Sequence, residues 1–60
     1  MYMMIRAYDD CTCMTERSDN IVSLLEAAAI YLRDESCFSV KIWEELPEND
    51  TRIILNYYRR

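Results

Sequence analysis

The three cysteines are the residues best suited to metal binding in this sequence. Cys11 and Cys13 are separated by one residue, and Cys37 lies far along the chain. Zinc usually takes four cysteine or histidine ligands, often as two closely spaced pairs. The chain has no histidine and lacks the second pair, although Asp10 could serve as a fourth ligand. We therefore expect three ordinary reduced thiols, with no metal and no cofactor.

The residue types that most often act in catalysis are also scarce in this sequence. Proton transfer near neutral pH most often uses histidine, and phosphate-binding loops need glycine; the sequence contains neither residue. A cysteine nucleophile would need a neighbouring base or a helix terminus to favour the thiolate. The carboxylate pairs Asp9-Asp10 and Glu44-Glu45 are sequence neighbours, whose side chains diverge in an extended chain. The sequence therefore predicts a protein that is not an enzyme.

The length and charge of the chain restrict its partners. Sixty residues are enough for one domain, and 52% hydrophobic with 30% charged residues is the composition of a folded chain. Eleven acidic residues against seven basic ones give a net charge of −4. Duplex DNA binding requires several phosphates to be neutralised by Lys and Arg, so the charge disfavours nucleic acid. A basic surface on another protein is the better expected partner.

The location of the protein follows from its apolar segments. The longest apolar run, residues 27–32, is far shorter than the roughly 18 residues that indicate a membrane span. The first six residues lack the basic-then-apolar order of a secretory signal. We expect a cytoplasmic protein with no membrane association.

Four segments with regular patterns follow one another along the chain. Residues 2–8 and 37–45 have the composition of strands, residues 19–34 that of a helix, and residues 51–58 that of a third strand. Residues 9–18 are polar and are expected to form a connection. The sequence predicts a single α+β domain over residues 1–60, of order β-α-β-β. Its three-stranded, mainly antiparallel sheet carries one helix on one face.

The helical segment repeats apolar residues at spacings of three and four, as an amphipathic helix does. Ser18, Asp19 and Asn20 stand at its start, and all three are favoured N-cap types. Ile30 points away from the apolar side and is expected to be exposed. The residues of the apolar stripe are Ile21, Leu24, Leu25, Ala28 and Leu32.

Two strand orders are compatible with these segments. In the order that we favour, 2-3-1, the third strand lies between the other two and the sheet is entirely antiparallel. In the alternative, the first two strands lie side by side and are parallel, joined by a right-handed crossover through the helix. The residues do not separate these arrangements.

The alternation of side chains along each strand predicts which residues pack beneath the helix. One layer of side chains is thin cover, because domains below about 70–80 residues seldom stay folded on a single core without further support. The shortfall indicates oligomerisation, and we expect a homodimer. The predicted sheet residues of the core are Met3, Ile5, Ala7, Phe38, Val40, Ile42, Ile53 and Leu55.

The opposite face of the predicted sheet is rich in aromatic and basic residues, which are frequent at protein interfaces. Three interpretations remain open: self-association, binding of another protein, and stacking of single-stranded nucleic acid on the aromatic rings. We favour a protein-binding module that acts by occupying its partner. The candidate partner-binding residues are Tyr2, Met4, Arg6, Lys41, Trp43, Arg52, Ile54 and Tyr58.

A second candidate surface is the acidic side of the helix and its following loop, formed by Glu26, Asp34 and Glu35. In its size and composition the chain resembles the small acidic antagonists that phages and other mobile elements encode. That resemblance implies a viral protein that inhibits a host or defence protein. Whether the chain inhibits its partner or acts as an adaptor stays open.

Overall fold

The computed structural model describes residues 1–59, which form a four-stranded antiparallel sheet and one helix. The elements are, in chain order, β1 (Tyr2–Tyr8), β2 (Cys13–Ser18), α1 (Ile21–Tyr31), β3 (Cys37–Leu46), a short 3-10 turn (Pro47–Asn49) and β4 (Asp50–Tyr58). The α+β class and the single helix agree with the prediction, whereas three strands and the order β-α-β-β are wrong. The observed order is β-β-α-β-β.

The additional strand, β2, lies in the segment that was expected to be a connection. It forms a hairpin with β1 through a tight turn in which Cys11 has a φ of 70°. The carboxylate of Asp10 accepts hydrogen bonds from the amide (3.0 Å) and hydroxyl (2.6 Å) of Thr12, which holds the turn without glycine. Because β2 is an edge strand and mostly exposed, it carries no apolar alternation for a sequence pattern to reveal.

This additional strand also changes the order of the sheet. The strands are arranged β2-β1-β3-β4, so the expected order 2-3-1 is wrong, and β3 lies directly beside β1. β1 and β3 are antiparallel, whereas the alternative order required them to be parallel. Because β2 reverses the chain before the helix, β3 enters the sheet antiparallel to β1.

The helix begins and ends through local hydrogen bonds. The side chain of Asn20 accepts hydrogen bonds from the amides of Val22 (3.0 Å) and Ser23 (3.3 Å), which satisfies two otherwise unpaired helix donors. α1 ends at Tyr31, earlier than expected, and the following turn is held by Asp34. Within residues 1–59, no helix is long and apolar enough to cross a membrane.

β3 and β4 form the predicted hairpin, with a one-residue irregularity that matters for the interface. Ile42 pairs with Leu55, but Trp43 pairs with Ile53, so Ile54 is an extra residue in β4. Such a bulge changes which side chains share a face on its two sides. The turn is closed by Glu48 and Asn49, both with positive φ.

The core is small and contains one orientation that was not predicted. Val40, Ile42, Leu24 and Ala28 are buried as expected, whereas Met4 is also fully buried. β1 therefore directs its even-numbered side chains to the helix, and the expectation that Met3, Ile5 and Ala7 are core residues is wrong. Ile53 (55% exposed) and Leu25 (41% exposed) are also outside the core. The fully buried cluster within residues 1–59 is Met4, Leu24, Ala28, Cys37, Val40 and Ile42.

Candidate protein interface

The predicted partner-binding residues divide between the two faces of the sheet. Tyr2, Met4 and Arg6 lie on the helix side of β1, so they do not belong to the surface that was proposed for them. Lys41 and Trp43 alternate with the buried residues of β3 and face away from the helix. We call this outward side of the sheet the open face.

Arg6 lies in a polar cluster between the sheet and the helix. Its guanidinium group donates hydrogen bonds to the Tyr8 hydroxyl and to the Glu16 carboxylate, each at 2.9 Å. The Tyr31 hydroxyl donates to the same Glu16 oxygen at 2.7 Å, and the Arg6 guanidinium carbon lies 3.7 Å from the centre of the Tyr31 ring. The cluster thus joins β1, β2 and α1. The charge of Arg6 is used within the fold and is not presented to a partner.

The same cluster predicts how Tyr31 titrates. The hydrogen bond to Glu16 is the main cause that raises the pKa of Tyr31 above its ordinary value. The neutral phenol therefore contributes stability below the unfolded-state pKa, and this contribution is lost as the pH rises through the folded-state pKa. In an alkaline titration followed by phenolate absorbance, we expect Tyr31→Phe to remove a step that lies above the ordinary pKa of tyrosine. If this step persists in the variant, Glu16 does not hold the Tyr31 proton.

Arg52 also lies on the face opposite to the predicted one, and Ile54 lies at the irregularity of β4. Arg52 pairs across the strands with Glu44 and forms an ion pair with it on the helix side of the sheet. Ile54 is the bulged residue and is 37% exposed. The bulge reverses the alternation of β4, so Arg52 and Tyr58 lie on opposite faces of the sheet although both have even numbers.

The open face is continuous across all four strands. Cross-strand partners share a face, and the register places Met3 beside Trp43, Ile5 beside Lys41, and Tyr58 beside Ser39. Tyr58 is 67% exposed, and its ring meets the Phe38 ring edge-on at 5.5 Å between centroids. The residues of the open face are Cys13, Thr15, Arg17, Met3, Ile5, Ala7, Ser39, Lys41, Trp43, Glu45, Thr51, Ile53, Asn56 and Tyr58.

A shallow depression of about 250 Å³ lies on this face, between β3 and the start of β4. Trp43 and Ile53 form its apolar part, and Thr51 supplies a hydroxyl group. The Lys41 ammonium lies 5.8 Å from the centre of the Trp43 ring, within range of a cation–π interaction. The depression therefore offers an apolar floor with one cation at its margin.

The charges of the open face leave Lys41 as its accessible cation. Arg17 forms an ion pair with Glu45 at 2.9 Å on the same side of the sheet. Among residues 1–59, no carboxylate lies within ion-pair distance of Lys41. An acidic or carbonyl group of a partner would therefore meet an unneutralised charge beside the apolar floor.

The second candidate surface is exposed but partly used in local structure. Glu26 and Glu35 are exposed on the helix and in the loop that follows. The Asp34 carboxylate accepts hydrogen bonds from the Ser36 hydroxyl (2.8 Å) and amide (3.0 Å), which lowers the pKa of Asp34. Asp34 therefore shapes the turn after the helix, and its side chain remains exposed.

The cysteines do not converge. Cys37 is fully buried beneath the helix, whereas Cys11 and Cys13 are exposed. Cys13 pairs with Ala7 on the open face, and Cys37 pairs with the next residue of β1 on the opposite side. In the described part of the chain, no group of three Cys, Asp or Glu side chains is arranged to hold a metal ion.

Sequence reasoning missed four apolar members of the open face, namely Met3, Ile5, Ala7 and Ile53, because it assigned them to the core. The alternating charges of Glu16 and Arg17 were a usable signal, since charged side chains commonly protect an edge strand. Once β2 is recognised beside β1, Glu16 becomes an available partner for Arg6 on the helix side. That pairing would have reversed the predicted orientation of β1.

Comparison with known proteins adds no relative: no family model, no curated protein and no solved structure matches this chain.

Proposed function

We propose that this chain is a small acidic protein-binding module that works as a homodimer and acts without catalysis, by occupying a partner protein. Its contact surface is the open face, centred on Trp43 and Lys41. Inhibition of the partner is the action that we favour, as for a phage-encoded antagonist of a host or defence protein, and an adaptor would use the same contacts. The proposed location is the cytoplasm, where the exposed thiols of Cys11 and Cys13 would stay reduced.

The observation that carries this proposal is the apolar depression beside the unneutralised charge of Lys41. A half-buried tryptophan beside an exposed isoleucine is typical of the centre of a protein interface, where few residues supply most of the binding energy. Ile53 and Tyr58 are 55% and 67% exposed, which is costly to leave in water unless another surface covers them.

The charge distribution supports one kind of contact. Lys41 favours an acidic or carbonyl group that lies next to an apolar side chain of the partner. The acidic remainder of the chain, with a net charge of −4, favours a partner whose surrounding surface is basic. We therefore expect a basic protein surface with one acidic or carbonyl group at the centre of its contact.

Single-stranded nucleic acid remains the second interpretation, and the positions of the bases weaken it. Of the three bases expected on the aromatic platform, Arg6 and Arg52 are ion-paired on the helix side. Lys41, Trp43 and Tyr58 remain, which gives the phosphate backbone one cation. A protein partner fits the open face better.

Affinity capture from cells of the native source tests the proposal with three immobilised proteins. We expect the wild-type chain to retain a partner that Trp43→Ala and Lys41→Glu lose, because the first variant empties the depression and the second reverses its charge. A truncated central aromatic residue typically costs about 2 kcal/mol or more of binding energy, close to a 30-fold loss of affinity. Trp43 is the single tryptophan, so its fluorescence can then measure the affinity of the purified partner.

Val22→Ala is the matched control, since Val22 is an exposed apolar residue on the helix (57%) and away from the open face. It should retain the same partner as the wild type. Identical retention by all four proteins would refute the proposed surface. A partner that disappears after nuclease treatment would favour the nucleic-acid interpretation instead.

A further inference from the structure

The outer edge of β4 is unusually open for a strand of its length. β4 runs for nine residues at one edge of the sheet, and eight of them are exposed. The opposite edge, β2, is shorter and carries Glu16 and Arg17, both held in ion pairs. Proteins commonly protect an edge with charges, and the segment Ile53–Tyr58 has none.

The hydrogen bonds of β4 identify which backbone groups face outward. The Arg59 amide donates to the Phe38 carbonyl at 2.6 Å, which marks the end of the β3–β4 ladder. In an antiparallel pair, inward-facing and outward-facing residues alternate. Tyr57 therefore faces β3, whereas Asn56 and Tyr58 direct their amides and carbonyls away from the sheet. This part of β4 lies beyond the bulge and continues with regular pairing.

The charge of the chain selects the occupant of this edge. Two copies with a net charge of −4 repel each other across most of their surfaces. Along β4 the repulsion is smallest, because the segment Ile53–Tyr58 carries no charge. A second copy also brings an edge that is already ordered, whereas a flexible peptide would lose conformational entropy when it binds.

We infer that β4 pairs antiparallel with β4 of a second copy, about a two-fold axis, and so forms one continuous eight-stranded sheet. Asn56 and Tyr58 of each copy exchange backbone hydrogen bonds across the axis, and the exposed side chains of β4 become mutually covered. The pairing rests on the homodimer of the proposed function and specifies its interface. It also leaves the depression at Trp43 open, so that one dimer presents two partner sites.

Proline scanning of the edge tests this pairing on the purified full chain. Asn56→Pro removes an outward amide while leaving the β3–β4 ladder intact, because proline is tolerated where the amide of an edge strand faces solvent. We expect the wild-type protein to be a dimer by light scattering. The dimer dissociation constant of Asn56→Pro should be at least roughly tenfold higher, since two symmetric hydrogen bonds are lost. Asn56→Ala keeps the amide and should remain a dimer.

Tyr58→Pro, compared with Tyr58→Ala, repeats the test near the end of the strand in case Asn56→Pro does not fold. Far-ultraviolet circular dichroism checks the fold of each variant. A dimer that survives both proline variants would overturn the edge pairing. A dimer that is lost in Tyr58→Ala but kept in Asn56→Pro would assign the interface to the open face. A monomeric wild type would overturn the edge pairing and the dimer, but the capture experiment with Trp43→Ala would still decide partner binding.

Discussion

Replacing Met4 by alanine is expected to lower the free energy of unfolding by about 2–5 kcal/mol. Met4 is fully buried in the cluster that joins α1 to β1 and β3, and alanine would leave a cavity there. A domain of this length has a total stability of about 3–9 kcal/mol, so the variant would lose much of its folded population. Urea denaturation, followed by circular dichroism, measures the change.

Two other methionines provide matched controls for Met4. Met14 is 51% exposed on the edge strand β2, and its replacement by alanine should change stability by no more than about 0.5 kcal/mol. Met3 is half-buried on the open face and should give an intermediate loss. A greater loss for Met3→Ala than for Met4→Ala would mean that β1 has the opposite orientation.

Replacing Arg6 by methionine is expected to cost about 2–3 kcal/mol, because its hydrogen bonds to Glu16 and Tyr8 are lost at a site where water cannot fully replace them. The Arg6 side chain is only 12% exposed. Methionine keeps much of the apolar stem of arginine, so the loss is assigned mainly to the polar contacts. The same urea experiment measures it.

The ion pair between Arg17 and Glu45 is the internal comparison, since it has the same 2.9 Å separation but lies in water, with side chains 61% and 41% exposed. Arg17→Met should cost no more than about 1 kcal/mol. A double-mutant cycle of Arg6→Met with Glu16→Gln should give a coupling energy above about 1 kcal/mol. Equal losses of unfolding free energy for Arg6→Met and Arg17→Met would show that the Arg6 cluster stabilises the fold no more than an exposed ion pair does.

Sequence patterns predicted the elements whose apolar residues repeat at the spacing of a helix or a strand, and they failed for β2, which has no such repeat. β3 and α1 were located because Val40, Ile42, Leu24 and Ala28 repeat at the spacing of their own element and meet in the core. β2 was missed because an exposed edge strand has no need of apolar alternation. The consequence was a wrong strand order, since one missed reversal changes the direction of every later strand.

The orientation of β1 could not be read from β1 alone. Its odd-numbered side is wholly apolar, whereas its even-numbered side contains Arg6, so the odd side was the natural choice for the core. The structure turns Arg6 inward because Glu16 and Tyr31, both distant in sequence, satisfy its charge. The energetic cost of burying a base depends on such partners, which a local pattern does not contain.

The candidate interface was likewise predicted from the sequence only in part. The amino-acid sequence by itself determined the absence of histidine and glycine, the net charge of −4, and the positions of Lys41, Trp43 and Tyr58 opposite the helix. Only the tertiary structure decided that Arg6 and Arg52 are ion-paired on the helix side, and that Met3, Ile5 and Ile53 join the open face. The reason is physical: composition and alternation are local, whereas the β4 bulge and the neighbours of each strand arise from long-range pairing.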